Sequence, residues 1–89
     1  MAASLRALLL GDIVGQSGCR ACFVGLRNLI HEHKADFVVA NGENAADGFG
    51  LTEQIAEQLF GLGIDVITTG NHIWQQREIL KVMERDERI

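Results

Sequence analysis

Five side chains in this sequence have the types and spacing to do chemistry together: Asp12, Glu43, Asn44, Asn71 and His72. They sit in three short strings, Gly11-Asp12, Gly42-Glu43-Asn44 and Gly70-Asn71-His72, whose glycines stand 31 and 28 residues apart. Two carboxylates, an amide carbonyl and an imidazole make a donor set for divalent Mn, Fe, Zn or Mg, with hard oxygens in the majority. Glu43 could bridge two ions. A bimetallic centre would bind a phosphoryl oxygen, lower the pKa of a bound water and stabilise charge on the entering and leaving oxygens. His72 then suits a general acid that protonates the leaving oxygen. Taken singly, each string has an ordinary reading, because Asp and Asn after a strand are common turn and helix-cap residues. Three strings in register favour a ligand or metal site.

The elements that must position these residues are legible around them. Leu5 to Leu10 is a short apolar run closed by Gly11, which predicts a buried strand. Cys19, Cys22, Phe23, Leu26, Leu29 and Ile30 recur at three- and four-residue steps and draw one apolar stripe on a helix. The string DFVVANG, residues 36 to 42, is a second strand, and LTEQIAEQLFGLG, 51 to 63, a second helix. Thr52 is placed to cap that helix, Glu53 sits in its favourable first turn, and Gly61 or Gly63 ends it. DVITTG, 65 to 70, is the third strand. Gln75 to about Glu84 is a third helix facing inward through Ile79, Val82 and Met83.

The resulting βαβαβα order with apolar strands implies a parallel α/β sheet with right-handed helical crossovers. All strand-to-helix loops then lie at one sheet edge, where open α/β sheets bind ligands. Each glycine that opens a loop is expected to let the backbone turn sharply as it leaves the sheet.

Composition narrows the partners. The 89 residues contain no proline, are 47% hydrophobic and have a mean hydropathy of +0.10, values of one small globular unit. Eight basic against twelve acidic side chains give a net charge of -4. The basic residues are scattered, so no stripe for a long nucleic acid is visible. The apolar start, Met1 to Leu10, is too short for a signal sequence and is broken at Asp12, and nothing reads as a membrane span. The expected location is the cytoplasm, with both cysteines reduced.

The strings LLGDIVGQSG, DFVVANGENAADGFGLT and GIDVITTGNHIW resemble the opening of the YmdB-like metallophosphoesterases, a branch of the calcineurin-like phosphoesterase superfamily. The resemblance covers nearly the whole chain. It implies a four-layer αββα fold, of which this chain would be the βαβαβα parallel-sheet half. It also implies a centre of two divalent metal ions, Mn or Fe first and Mg or Zn as alternatives, and hydrolysis of phosphodiesters, with 2',3'-cyclic nucleotides the favoured small substrate. By that resemblance Asp12 ligates the first metal, Glu43 bridges, Asn71 ligates the second, Asn44 lies in the site beside substrate or ligands, and His72 is the acid or contacts phosphate. The first loop, Asp12-Ile13-Val14, lacks the His that most of the superfamily carries there, in agreement with this branch.

The family's remaining ligands are histidines located well beyond the Gly-Asn-His loop. His31 and His33 cannot replace them, since positions i and i+2 of a helix point to nearly opposite sides. Residues 1–89 are therefore expected to form the N-terminal part of a single metallophosphoesterase domain, with weak metal affinity and little or no activity alone. MERDERI, at the end, reads as a solvated helical run without a terminator or closing strand.

Two other readings stand beside the enzyme. One is a non-catalytic module acting in binding or assembly, with a homo-oligomer formed through its exposed sheet edge. The other is a flavodoxin-like nucleotide-binding domain, although Gly11, Gly15 and Gly18 match neither Gly-x-Gly-x-x-Gly nor a Walker motif. Cys19-Arg20-Ala21-Cys22 has redox spacing, but both cysteines fall on the apolar stripe. The 44–50 loop either shapes access to the site or simply connects. Trp74 is expected to pack a helix start rather than stack on a base.

Overall fold

Three parallel strands, β1 (Ala7–Asp12), β2 (Phe37–Asn41) and β3 (Val66–Thr68), pair in the order β1-β2-β3 in the computed structural model, which describes residues 3–89. Met1 and Ala2, the first residues of the apolar start, lie outside the described residues. The connecting helices are α1 (Gly15–His33) and α2 (Glu53–Gly61); a 3-10 segment, Asn71–Gln75, and α3 (Glu78–Arg85) follow β3. Because the strand order always advances in one direction, right-handed crossovers put α1 and α2 on the same face of the sheet. Helix α3 packs beside α2.

Strand alternation divides the side chains between two unlike faces. Val38, Ala40 and Ile67 are buried under the helices, with Leu8 and Leu10 packed against them. Leu26 of α1, Ala56 and Leu59 of α2, and Ile79 and Val82 of α3 close this core from above. The register partners Ala7 with Phe37, Leu9 with Val39, and Val39 with Val66 belong to the opposite face, which among the described residues carries no helix. Leu9 there is 72% exposed.

Strand β1 departs from the sequence reading. It runs to Asp12 rather than stopping at Leu10, and as an edge strand it is largely exposed, with only Leu8 and Leu10 half-buried. Leu10 pairs with Ala40 and Asp12 with Asn41, so Gly11 is the extra residue of a bulge. A one-residue bulge changes the face a side chain uses. Asp12 thereby leaves the helix-facing set of Leu8 and Leu10.

The helices confirm their capping signals and narrow their stripes. Thr52 Oγ1 accepts the Ile55 N–H at 3.2 Å and Glu53 occupies the first turn of α2. Helix α1 ends at Lys34, which takes the left-handed conformation (φ 51°) usually given to glycine. On α1, Cys19, Cys22, Leu26 and Ile30 face the core, but Phe23 is 73% exposed and Leu29 lies at the margin. The helix sits over the edge strand, and its outer side, Phe23 and Val24, is left exposed among the described residues. Helix α3 begins three residues later than its periodicity predicts, because the chain first makes the 3-10 turn.

The terminal charged run is a solvated helical face only through Arg85. After Arg85 the chain turns back to β3, where the Arg88 carbonyl accepts the Ile67 N–H at 2.7 Å. The Arg88 guanidinium lies 3.9 Å over the Phe60 ring centre and pairs with Asp86 at 2.7 Å.

Candidate functional site

The loops that leave β1, β2 and β3 meet at one edge of the sheet, and backbone hydrogen bonds lace the first two together. Ile13 N–H donates to the Asn41 carbonyl at 3.1 Å, and Gly15 N–H to the Asn44 carbonyl at 3.1 Å. The second loop also closes on itself. Gly48 N–H reaches the Asn44 carbonyl at 2.8 Å, Gly50 N–H the Glu43 carbonyl at 2.7 Å, and Ala46 N–H the Gly50 carbonyl at 2.8 Å. Ala45, Ala46 and Leu51 are buried beneath it. Residues 43–50 thus form a braced turn that fixes where Glu43 and Asn44 point.

Three of the five predicted side chains form one continuous chain of hydrogen bonds. The Asn44 amide nitrogen donates to both Asp12 carboxylate oxygens, at 3.0 and 2.9 Å. The other end of the same amide, Oδ1, lies 2.5 Å from His72 Nδ1. Asp12 is exposed at the strand end, whereas Asn44 and the His72 ring are half-buried. Ile73, 3% exposed, anchors the 3-10 turn beside the ring. Gly50 (φ +84°) also lies against this turn: a Cβ there would fall 2.7 Å from the His72 carbonyl oxygen.

Glu43 reaches the third loop by another route. Its carboxylate lies over the Gly70 backbone, where a Cβ would come within 2.8 Å of Glu43 Cδ. Asn71 follows immediately and is exposed. Among the described residues, no side-chain hydrogen bond joins Glu43 or Asn71 to the Asp12–Asn44–His72 chain.

The glycines prove to have a different purpose from turning. None of Gly11, Gly42 and Gly70 has a left-handed φ. Gly42 leaves room for Ile67, whose Cγ2 would lie 2.7 Å from an added Cβ, and Gly70 leaves room for Glu43. Close approach, not backbone freedom, is what these two glycines provide.

The sequence reading also missed Asn41. Its Oδ1 accepts the Glu43 N–H at 3.0 Å, an Asx turn that starts the second loop. The Asn-Gly pair at a strand end was the available signal.

The donor set fits a metal in kind but not in number. Asp12, Glu43 and Asn71 offer hard oxygens at the ligand-binding edge, yet among the described residues no three His, Cys, Asp or Glu side chains cluster closely enough to hold an ion. His31 and His33 lie in the last turn of α1, where the His33 carbonyl accepts from Arg6 ahead of β1, at the opposite end of the strands. A groove of about 560 Å³ between α1 and α2 is lined by residues that include Cys19, Phe23 and Leu59 and shares none with the site. Burial pushes the Cys19 and Cys22 thiols up, with mutual repulsion and Asp47 adding to the effect at Cys19. They are therefore held as thiols, contrary to what a redox pair needs.

The family model described as "YmdB-like protein" matches residues 8–89, across all of the elements that build this site. The chain belongs to the YmdB-like family. A relative from Bacillus subtilis (strain 168), a 2',3'-cyclic-nucleotide 2'-phosphodiesterase, is 41% identical over 80 residues, which are 90% of this chain and 30% of that protein. The crystal structure of a phosphatase from Mycoplasma pneumoniae superposes with a TM-score of 0.92 at 34% identity, over 99% of this chain and 31% of the other. A hypothetical protein from Thermus thermophilus gives a TM-score of 0.83 at 38% identity, over 90% of this chain and 31% of that one. The chain spans about 30% of the length of the relatives it matches.

Proposed function

We propose that the chain carries the first part of a dimetal phosphodiesterase site acting on small phosphodiesters, 2',3'-cyclic nucleotides in particular. The observation that supports this most is the meeting of Asp12, Asn44 and His72 in one hydrogen-bonded chain at the sheet edge, with Glu43 seated against the loop that carries Asn71. Asp12, Glu43 and Asn71 are the residues that would hold the metals, Mn or Fe first, with Glu43 bridging. Bound there, the ions would polarise a phosphoryl oxygen and provide an acidified water.

His72 has its Nδ1 engaged by Asn44, so Nε2 is the ring atom left for substrate. As water oxygen bonds to phosphorus and the P–O bond to the ribose oxygen breaks, Nε2–H gives its proton to that leaving oxygen. The braced 43–50 turn keeps Glu43 and Asn44 from drifting while this happens. Residues 1–89 are read as the N-terminal part of one αββα domain, with the helix-free face around Leu9 and Val39 packing on a second sheet. With a partial ligand set, the 89 residues alone are expected to show little or no turnover. Among the described residues no helix is long and apolar enough to cross a membrane; a cytoplasmic location goes with this reading.

The test is a chimera in which this chain replaces the matching 80 residues of the Bacillus subtilis relative. It should hydrolyse 2',3'-cyclic AMP in a metal-dependent way, and Glu43→Gln should lower kcat by at least a hundredfold. A folded chimera that binds metal but leaves the cyclic nucleotide intact would sink the proposal.

A further inference from the structure

We propose that the open groove between α1 and α2 is a homodimer interface, in which α1 of each copy lies over α2 of the other. Phe23 and Val24 of α1, 73% and 70% exposed, stand along this groove, with Leu59 and Leu62 on the α2 side. At about 560 Å³ it has room for large side chains of a second molecule. Adjacent bulky apolar side chains left in water beside an apolar groove mark an interaction surface. The helices cover the side of the sheet opposite to Leu9 and Val39, so a second sheet packed on that helix-free face would leave the groove open.

The charges around the groove select its occupant. Helix α1 carries Arg20 and Arg27, and its one acid, Glu32, stands in the last turn; α2 carries Glu53 and Glu57 and no base. Two of these groups are engaged within the chain. The Arg27 guanidinium donates to the Gly61 carbonyl at 3.2 Å, and Glu53 pairs with Arg85. Arg20 and Glu57 are exposed, and among the described residues neither takes part in an ion pair. A positive α1 and a negative α2 complement each other between two copies of the same chain.

Symmetry turns this complementarity into a geometry. Both helices return between parallel strands in the same sense, so they lie side by side and parallel. Arg20 and Gln58 line the same groove and therefore stand at one height along it, with Glu57 next in the chain. A two-fold axis laid along the groove keeps every residue at its height while exchanging the helices. It brings Arg20 of each copy to the level of Glu57 in the other and sets Phe23 and Val24 over the other copy's α2. An axis across the helices would instead lay α1 antiparallel on α1. Centred on Phe23 and Val24, that arrangement opposes Arg20 to Arg27, and like charges face to face count against it. The favoured contact uses the same patch on both chains, so it closes at two copies rather than growing into a fibre.

The interface stands apart from the phosphodiesterase reading, and its test needs neither metal nor substrate. The experiment is sedimentation equilibrium of the full 89-residue chain, with circular dichroism to confirm that each variant folds. Arg20→Glu and Glu57→Arg, both at exposed positions, are each expected to weaken association about tenfold, because each sets like charges opposite one another. The two substitutions in one chain rebuild the pair with its signs exchanged and should recover the unsubstituted affinity. An equimolar mixture of the two single variants should associate more tightly than either alone. Phe23→Ala, which leaves the charges intact, should weaken association about thirtyfold. Association that none of these changes alters belongs to another surface, such as the sheet face of Leu9 and Val39, and overturns the proposal. A monomeric unsubstituted chain overturns it too, as does a folded double variant no tighter than the single ones. A groove made for a helix of a different protein would leave the purified chain in one of those states.

Discussion

Gly70 and Gly42 show two different demands on a glycine at the same edge of the sheet. Above Gly70 lies the far end of a flexible Glu43 side chain, which an added methyl can push aside. Gly70→Ala should therefore fold normally but displace the carboxylate, and a misplacement of about 1 Å is worth roughly a hundredfold in rate. Assayed in the chimera, near-normal turnover would show that Glu43 need not sit there. Above Gly42 lies a methyl of Ile67, itself 1% exposed and enclosed by the core. Gly42→Ala is expected to cost about 1–3 kcal/mol in chemical denaturation through overpacking. Trp74 presents the opposite situation: it is 64% exposed rather than packed, two residues from His72. As the single tryptophan, it should give water-like emission that acrylamide quenches freely.

The elements are held at their ends as much as along their faces. Thr52→Ala removes the acceptor for Ile55 N–H and should destabilise the chain by about 1 kcal/mol. Lys34→Gly should act in the other direction, since the left-handed backbone at the end of α1 disfavours any Cβ; a gain of about 0.5–1 kcal/mol in the denaturation free energy is expected. After α3, Arg88 holds the Asp86 carboxyl down at about 2, chiefly through side-chain and backbone hydrogen bonds. The ordinary unfolded value is about 3.9, so the pair contributes stability above that pH and loses it as the pH falls toward 2. The contribution of so exposed a pair is small. Carboxyl NMR titration reads the shift directly, and Arg88→Ala should return Asp86 to the ordinary range.

At the scale of the whole molecule, all the helices lie on one side. The uncovered sheet face holds Leu9, Phe37, Val39 and Val66, side by side through the strand register. A contiguous apolar surface of this kind is a packing surface. Alone in solution, the chain should self-associate through it, and sedimentation should show the average mass falling when Leu9→Lys and Val39→Lys are combined. Concentration-independent monomers of the unsubstituted chain would contradict this. The same face is the one that a second sheet would cover in the proposed αββα domain.

Local pattern was enough to determine the βαβαβα order, the Thr52 cap, the inward row of Ile79 and Val82, and the arrival of three polar loops at one edge. Each follows from side-chain period or from a capping preference, which act over a few residues. The bulge at Gly11, the space needed at Gly42 and Gly70, the exposure of Phe23 and Trp74, and the return of Arg88 to β3 depend on which elements become neighbours. So does the bond between Asn44 and His72. The sequence placed both residues in the site, but a hydrogen bond between side chains 28 positions apart depends on strand register and on how the 43–50 turn folds back. Those are properties of the packed chain, set by tertiary contacts that no local spacing encodes.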